Sequence, residues 1–210
     1  MMMDGSINRV IRYLSLALLL LLCACTINRS SPSRFYILSP LSSLGITGQA
    51  SDGKDKLNIG VELVKLPTYL DRPQIVTRRS ANEIELPEFD KWGEPLAEGI
   101  FRVVSENLSG LLSSRLVSVS NWEGARSNDY LVMLKVIRFD GDLGGNVTLI
   151  ANWSILGHKG KEILLAGRSS FTEPTGAPDY EAFVKAQSRA IGSLSQIIAE
   201  GINSLSGDRK

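Results

Sequence analysis

130-YLVMLKVIRFD-140, 146-NVTLIANWSIL-156 and 162-EILLAGRSSF-171 are three long runs rich in β-branched, aromatic and aliphatic residues. Their connectors are short: Gly141-Asp142-Leu143-Gly144-Gly145, then Gly157-His158-Lys159-Gly160. Strands of this length joined by glycine-bearing turns predict an antiparallel meander. The glycine cluster at 141–145 lies between strands and not at a helix start, so it reads as a loop and not as a phosphate cradle. His158, at the second turn, reads as a solvated hairpin tip.

Working outward, Asp179–Leu205 reads as a long helix with Asp179 as N-cap. Its apolar face carries Phe183, Val184, Ile191, Leu194, Ile198 and Ile202, the pattern of a core helix. Upstream, Pro95–Leu116 has helical spacing, with Leu96, Ile100, Val104, Leu108 and Leu111 or Leu112 on one face and Pro95 at the first helical position. Gly99 and Gly110 weaken that helix by about 1 kcal/mol each relative to Ala, so either marks a candidate close approach to another backbone. Leu116–Val119 reads as a short strand. Earlier still come Ser33–Leu41, a strand stopped by Pro40; a loop over Leu44–Lys56; and Leu57–Leu66, a strand with Ile59, Val61 and Leu63 in alternation. Gln74–Arg79 and Glu83–Leu86 form a hairpin around Ser80-Ala81-Asn82. Strands, helix, strands, helix predict an α/β or α+β fold: a single-domain sandwich of a mixed sheet, containing the meander, with two main helices packed on it.

The N-terminus carries a different signal. Arg9 and Arg12 form a basic region, and the apolar run Leu14–Leu22 is about 9 residues, well short of the ~20 that span a bilayer. Leu22-Cys23-Ala24-Cys25 then reads as a lipobox. Cys25 has the small Ala24 before it and the aliphatic Leu22 three before, whereas Cys23 follows the bulky Leu22. Residues 1–24 are therefore expected to be a lipoprotein signal peptide, and Cys25 the acylated residue. Thr26 is not the aspartate that retains lipoproteins at the inner membrane of Gram-negative bacteria, which points to the inner leaflet of the outer membrane, facing the periplasm. Residues 25–33 form a short tether whose ~8 residues reach roughly 28 Å fully extended, so the domain over residues 34–210 stays near the membrane.

Cleavage before Cys25 removes Asp4, Arg9 and Arg12, taking Lys+Arg from 23 to 21 and Asp+Glu from 22 to 21. A neutral mature chain has no field that recruits nucleic acid. With Cys25 acylated it holds no free thiol, and its one histidine stands alone, so neither a metal cluster nor a thiol nucleophile is expected. No Gly-x-Ser-x-Gly elbow occurs. Asp71 with Glu94 is the one carboxylate pair that a hydrolase reading could use. No catalytic activity and no cofactor beyond the acyl chains on Cys25 are expected.

Two dense segments remain. Leu66-Pro67-Thr68-Tyr69-Leu70-Asp71-Arg72-Pro73-Gln74-Ile75-Val76 is a bend stiffened by bracketing prolines. Phe89-Asp90-Lys91-Trp92-Gly93-Glu94-Pro95-Leu96 leads into the first helix, where Glu94 and Glu98 suit the positive end of the dipole. Together with Phe35-Tyr36-Ile37-Leu38 and Asn107-Leu108, these segments resemble the ABC-type transport auxiliary lipoprotein family. Gly93 stands where that family usually has another small residue such as Ala, and nothing after residue 128 carries a matching motif. The resemblance implies a non-enzymatic outer-membrane component of a lipid-transport system. Its partner would be a periplasmic MCE (mammalian cell entry) protein served by an ABC transporter or permease. Tyr69, Arg72, Gln74 and Trp92 are the candidate partner-binding residues, and a homo-oligomer would suit docking to a symmetric tunnel. A structural or assembly lipoprotein of another envelope complex shares the anchor and the lack of chemistry, and is the alternative.

Overall fold

The computed structural model describes residues 12–15, 31–45, 57–62, 64–112, 116–119 (backbone only), 128–157 and 160–207. The chain divides into two units, Met1–Pro32 and Ser33–Lys210. In the first, residues 12–15 are helical and the Ser15 hydroxyl donates to the Arg12 carbonyl at 3.0 Å. The rest of the expected signal segment, Cys25 and His158 lie outside the described residues. No described helix is long and apolar enough to cross a membrane.

The second unit runs β1 (Arg34–Tyr36), β2 (Asn58–Val61), β3 (Thr77–Arg78), β4 (Ile84–Glu85), β5 (Asp90–Trp92), α1 (Leu96–Leu112), β6 (Leu116–Val119), β7 (Tyr130–Gly141), β8 (Asn146–Gly157), β9 (Glu162–Pro174) and α2 (Tyr180–Gly207). The main sheet has the order β6-β2-β7-β8-β9. Its first three strands are parallel and its last three form the expected antiparallel meander, so the sheet is mixed. Two small sheets flank it, β1 parallel to β5 and β3 antiparallel to β4.

Alternation explains the sheet's buried face. Tyr130, Val132, Leu134 and Val136 on β7 and Val147, Leu149, Ala151 and Ile155 on β8 join one core with both helices. A bulge between Val136 and Arg138 shifts the phase by one residue, which keeps Phe139 fully buried beyond it. Helix α1 contributes Ile100, Val103, Val104 and Leu108, and α2 contributes Phe183, Ile191, Leu194, Ile198 and Ile202. The Asp179 carboxylate accepts from the Ala182 amide at 2.8 Å, capping α2 as expected. Gly201 lets α2 lie close to the sheet: a Cβ there would stand 2.9 Å from Leu165 Cδ2 and 3.0 Å from Ile155 Cδ1. Buried Asn107 joins the helices, accepting from the Leu41 amide at 2.8 Å and donating to Ser195 Oγ at 3.2 Å.

Several boundaries differ from the sequence reading. The first strand stops at Tyr36: Leu38 turns into the core, and a 3-10 turn over Leu41–Leu44 follows Pro40. The second strand ends at Val61, not Leu66, because its register slips by one residue between Val61↔Val132 and the bridge Lys65↔Lys135. Helix α1 begins at Leu96, one residue after Pro95, and ends at Leu112. Gly99 lies against the Glu94 side chain, not a backbone, and Gly110 faces open space. Strand β5 was not anticipated. Asp-Lys-Trp has no alternation to announce it, and its pairing comes from β1 and the bend, both distant in sequence.

Candidate functional site

The proline-bracketed bend is a tight turn. The Leu70 amide donates to the Pro67 carbonyl at 2.9 Å and the Arg72 amide to the Leu70 carbonyl at 2.9 Å. Beyond it the chain is stitched to β5: the Trp92 amide donates to the Pro73 carbonyl at 2.7 Å, the Ile75 amide to the Asp90 carbonyl at 3.2 Å, and Gln74 bridges Lys91. Strand β5 is bonded on its other side to β1, where the Gly93 amide donates to the Tyr36 carbonyl at 2.8 Å and the Arg34 amide to the Phe89 carbonyl at 2.7 Å. The two dense sequence segments are thus one structural unit, with β1 as its third strip.

Two buried aspartates pin this unit. Asp90 accepts from Arg34 Nε at 2.8 Å and from the Tyr36 hydroxyl at 2.9 Å. Asp140, at the end of β7 and with its side chain fully shielded, accepts from both Nε and Nη2 of Arg78 at 2.8 Å, from Arg138 Nε at 2.7 Å and from the Tyr69 hydroxyl at 2.8 Å. Burial pushes the Asp140 carboxyl up, but hydrogen bonds from Arg78, Arg138 and Tyr69 outweigh it and hold the group below the usual carboxylate range. The sequence singled out Tyr69 and missed Asp140, because the partners that reveal it, Tyr69 and Arg78, are 71 and 62 positions away.

Burial, then the bond to a carboxylate, pushes Tyr69 up to about 12 and Tyr36 up to about 12. A raised tyrosine pKa favours the fold fully below the unfolded value of ~10, and that contribution disappears as pH climbs through the folded value. Ultraviolet titration of the phenolates should therefore show Tyr36 and Tyr69 ionising near pH 12, with unfolding rates rising between pH ~10 and that point. Early ionisation of both would contradict the bonds to Asp90 and Asp140.

Between the bend and the start of α1 lies a cavity of about 370 Å³, lined by Asp71, Arg72, Pro73, Trp92, Glu94 and Leu96 among others. Arg72 is half-buried, and its Nε is shielded from solvent with no hydrogen-bond partner among the described residues. Glu94 is already paired: its Oε1 accepts from Arg102 Nη2 at 2.7 Å, and that same nitrogen donates to the Leu38 carbonyl at 2.9 Å. Asp71 and Glu94 therefore share a cavity, and Glu94 is held there as the ion-pair partner of Arg102.

Of the four sequence candidates, Arg72 and Trp92 meet at this cavity. Trp92 is only 6 % exposed, so most of its ring belongs to the core and a rim is all it offers. Tyr69 turns away to Asp140, and half-buried Gln74 sits in the seam with β5. Among the described residues no group of acidic, histidine or cysteine side chains could hold a metal ion.

The fold has precedents. Protein XCC0632 from Xanthomonas campestris, described under DUF330, is similar at a TM-score of 0.69 and 14 % identity, with 85 % of this chain and 100 % of that one covered. A crystal structure of an uncharacterized protein is similar at a TM-score of 0.66 and 18 % identity, covering 82 % and 99 %. At such identities these likenesses speak to fold alone. No curated protein matches the chain. The family profile described as "ABC-type transport auxiliary lipoprotein component" matches residues 40–199, which takes in the bend, the cavity, α1, the meander and most of α2. The chain belongs to the ABC-type transport auxiliary lipoprotein family.

Proposed function

We propose that this protein is a non-enzymatic lipoprotein, acylated on Cys25 and anchored in the inner leaflet of the outer membrane, that docks the periplasmic MCE assembly of an ABC-type lipid-transport system. Family membership carries the auxiliary role in transport. The lipobox supports the anchor. The cavity between the bend and Trp92 supports the docking site, since it is concave, partly apolar and presents an arginine whose Nε lacks a partner. Arginine beside an aromatic rim is the composition favoured at the centre of protein interfaces. A closed homo-oligomer of the lipoprotein would match a symmetric partner.

The anchor has a direct test. Cys25→Ser moves the protein wholly from the membrane fraction to the soluble periplasm, whereas Cys23→Ser leaves it bound. The reverse result would move acylation to Cys23.

Docking is tested by affinity co-purification of the full-length acylated protein from gently solubilised envelopes, with mass spectrometry of what accompanies it. Arg72→Ala suits this test better than a change at buried Trp92, because it spares the core. We expect an MCE-domain protein with the wild type and a loss of at least about tenfold with Arg72→Ala, the scale of an interface hot spot. Recovery of only an unrelated envelope complex would favour the assembly-lipoprotein reading.

A further inference from the structure

The sheet face turned away from both helices is organised by register. Lys65 bridges Lys135, Lys135 pairs with Asn152, and Asn152 pairs with Arg168. Paired residues on adjacent strands project to the same face. These four exposed residues therefore form one row from the Lys65 bridge across β7, β8 and β9, about 14 Å long at ~4.8 Å per step. Lys65, Lys135 and Arg168 make no ion pair and no side-chain hydrogen bond among the described residues.

Two positions along each strand the row becomes Met133, Ser154 and Ala166. Two positions further on β7 and β8, and three on β9 because the register shifts after Ile155, it becomes Leu131, Leu156 and Ile163. Leu131 and Leu156 form a small apolar cluster with Met133, separate from the main core, and Ile163 is 64 % exposed. The face thus grades from cationic to apolar over about 13 Å, at ~3.3 Å per residue. A cavity of about 550 Å³ lies along this gradient, with Lys65, Lys135, Asn152, Met133 and Ala166 in its lining and Glu62 as its one acidic residue.

We propose that this face binds one anionic phospholipid. Its phosphate would sit at the Lys65–Lys135–Arg168 row, and an acyl chain would lie past Met133 and Ala166 toward Leu131, Leu156 and Ile163. The cavity's two lysines outnumber its one carboxylate, and Arg168 extends the row beyond the cavity, which selects an anionic group; the apolar rows select what is attached to it. A peptide fits less well. Strands β7 and β8 are paired on both sides, so the floor offers a peptide no free main-chain groups. An alkyl chain needs none. The volume falls within the range of small-molecule sites.

The test uses the full-length acylated protein in its own envelope. A diazirine-bearing residue replaces Ser154, at the middle of the gradient, and cells are grown in 32P-phosphate before irradiation. The phosphate label distinguishes a bound phospholipid from the protein's own acyl chains. We expect a 32P adduct from position 154 and none from the same probe at exposed Glu200 on α2. The double variant Lys65→Ala/Lys135→Ala should lower the yield about tenfold at equal protein level, the scale of losing charge-assisted contacts. Absence of the adduct, an equal yield in the double variant, or a protein adduct in place of lipid would overturn the proposal. Repeating the experiment in envelopes that lack the MCE protein separates this inference from docking, since the lipid site needs no partner.

Discussion

Asp140→Asn should lower the stability of the domain by about 3–5 kcal/mol, the cost of removing one partner from a buried ionic cluster. The asparagine keeps the shape but leaves the Arg78 fork, Arg138 and the Tyr69 hydroxyl without their shared charge. The effect extends beyond stability. Tyr69 belongs to the bend, Arg78 to β3 and Asp140 to β7, so this one carboxylate fixes the bend and the β3–β4 sheet onto the large one. Denaturant unfolding of variant and wild type, read by tryptophan fluorescence, would measure the loss. A shift below about 1 kcal/mol would mean that the cluster behaves as a solvated surface pair. Acid should imitate the substitution. The folded pKa is depressed, so the contribution is complete above the unfolded value near 3.9 and is lost as pH falls through the folded one. The variant's stability should accordingly depend less on pH in that window.

Gly141→Val should be as damaging, for a steric reason. A Cβ at this position would collide with the Asn146 carbonyl oxygen and lie 2.7 Å from the Val147 Cα. Both obstacles are main chain, so no rotamer change relieves them. The turn that starts β8 must open, breaking the bond from the Asp142 amide to the Asn146 carbonyl and displacing Asp140 next door. Overpacking of this kind costs about 1–3 kcal/mol and occasionally more. We expect the upper end, together with loss of the Tyr69 bond, so that Tyr69 titrates nearer pH ~10. Gly110→Ala is the matched control. Nothing lies within 4 Å of that site, and on an exposed helix position the change should stabilise by up to about 1 kcal/mol.

What the sequence announced and what it withheld divide along physical lines. The meander, α1 and α2 were legible because their cause is local: period-two or period-3.6 burial, glycine turns, and a capping aspartate three residues before the amide it bonds. Strand β5 was not, since three residues become a strand only where β1 and the bend supply partners on both sides. The bend was recognised as rigid, and Arg72 and Trp92 do meet across its cavity. Tyr69 was read as a contact residue from its place in the bend motif, and its hydroxyl is spent on Asp140. The cationic row on the open face was invisible because it depends on the slip between Val61 and Lys65. Counted without that slip, Lys65 would fall opposite Val136 and point to the other face.

Strand β1 begins nine residues after Cys25 in the chain, and among the described residues its strand partner is β5, in parallel. Tension applied at residue 33 would therefore pull along β1 and load its bonds to β5 simultaneously in shear, the stiff direction, with the Arg34–Asp90 and Tyr36–Asp90 contacts adding resistance. The next elements in the load path are the bend and the wall of the Arg72 cavity, reached through the Trp92–Pro73 and Ile75–Asp90 hydrogen bonds and not through the main sheet. A membrane tether and a docked partner of the kind proposed would thus be coupled mechanically by a short strip of backbone, seated on the core through Leu38 and Trp92.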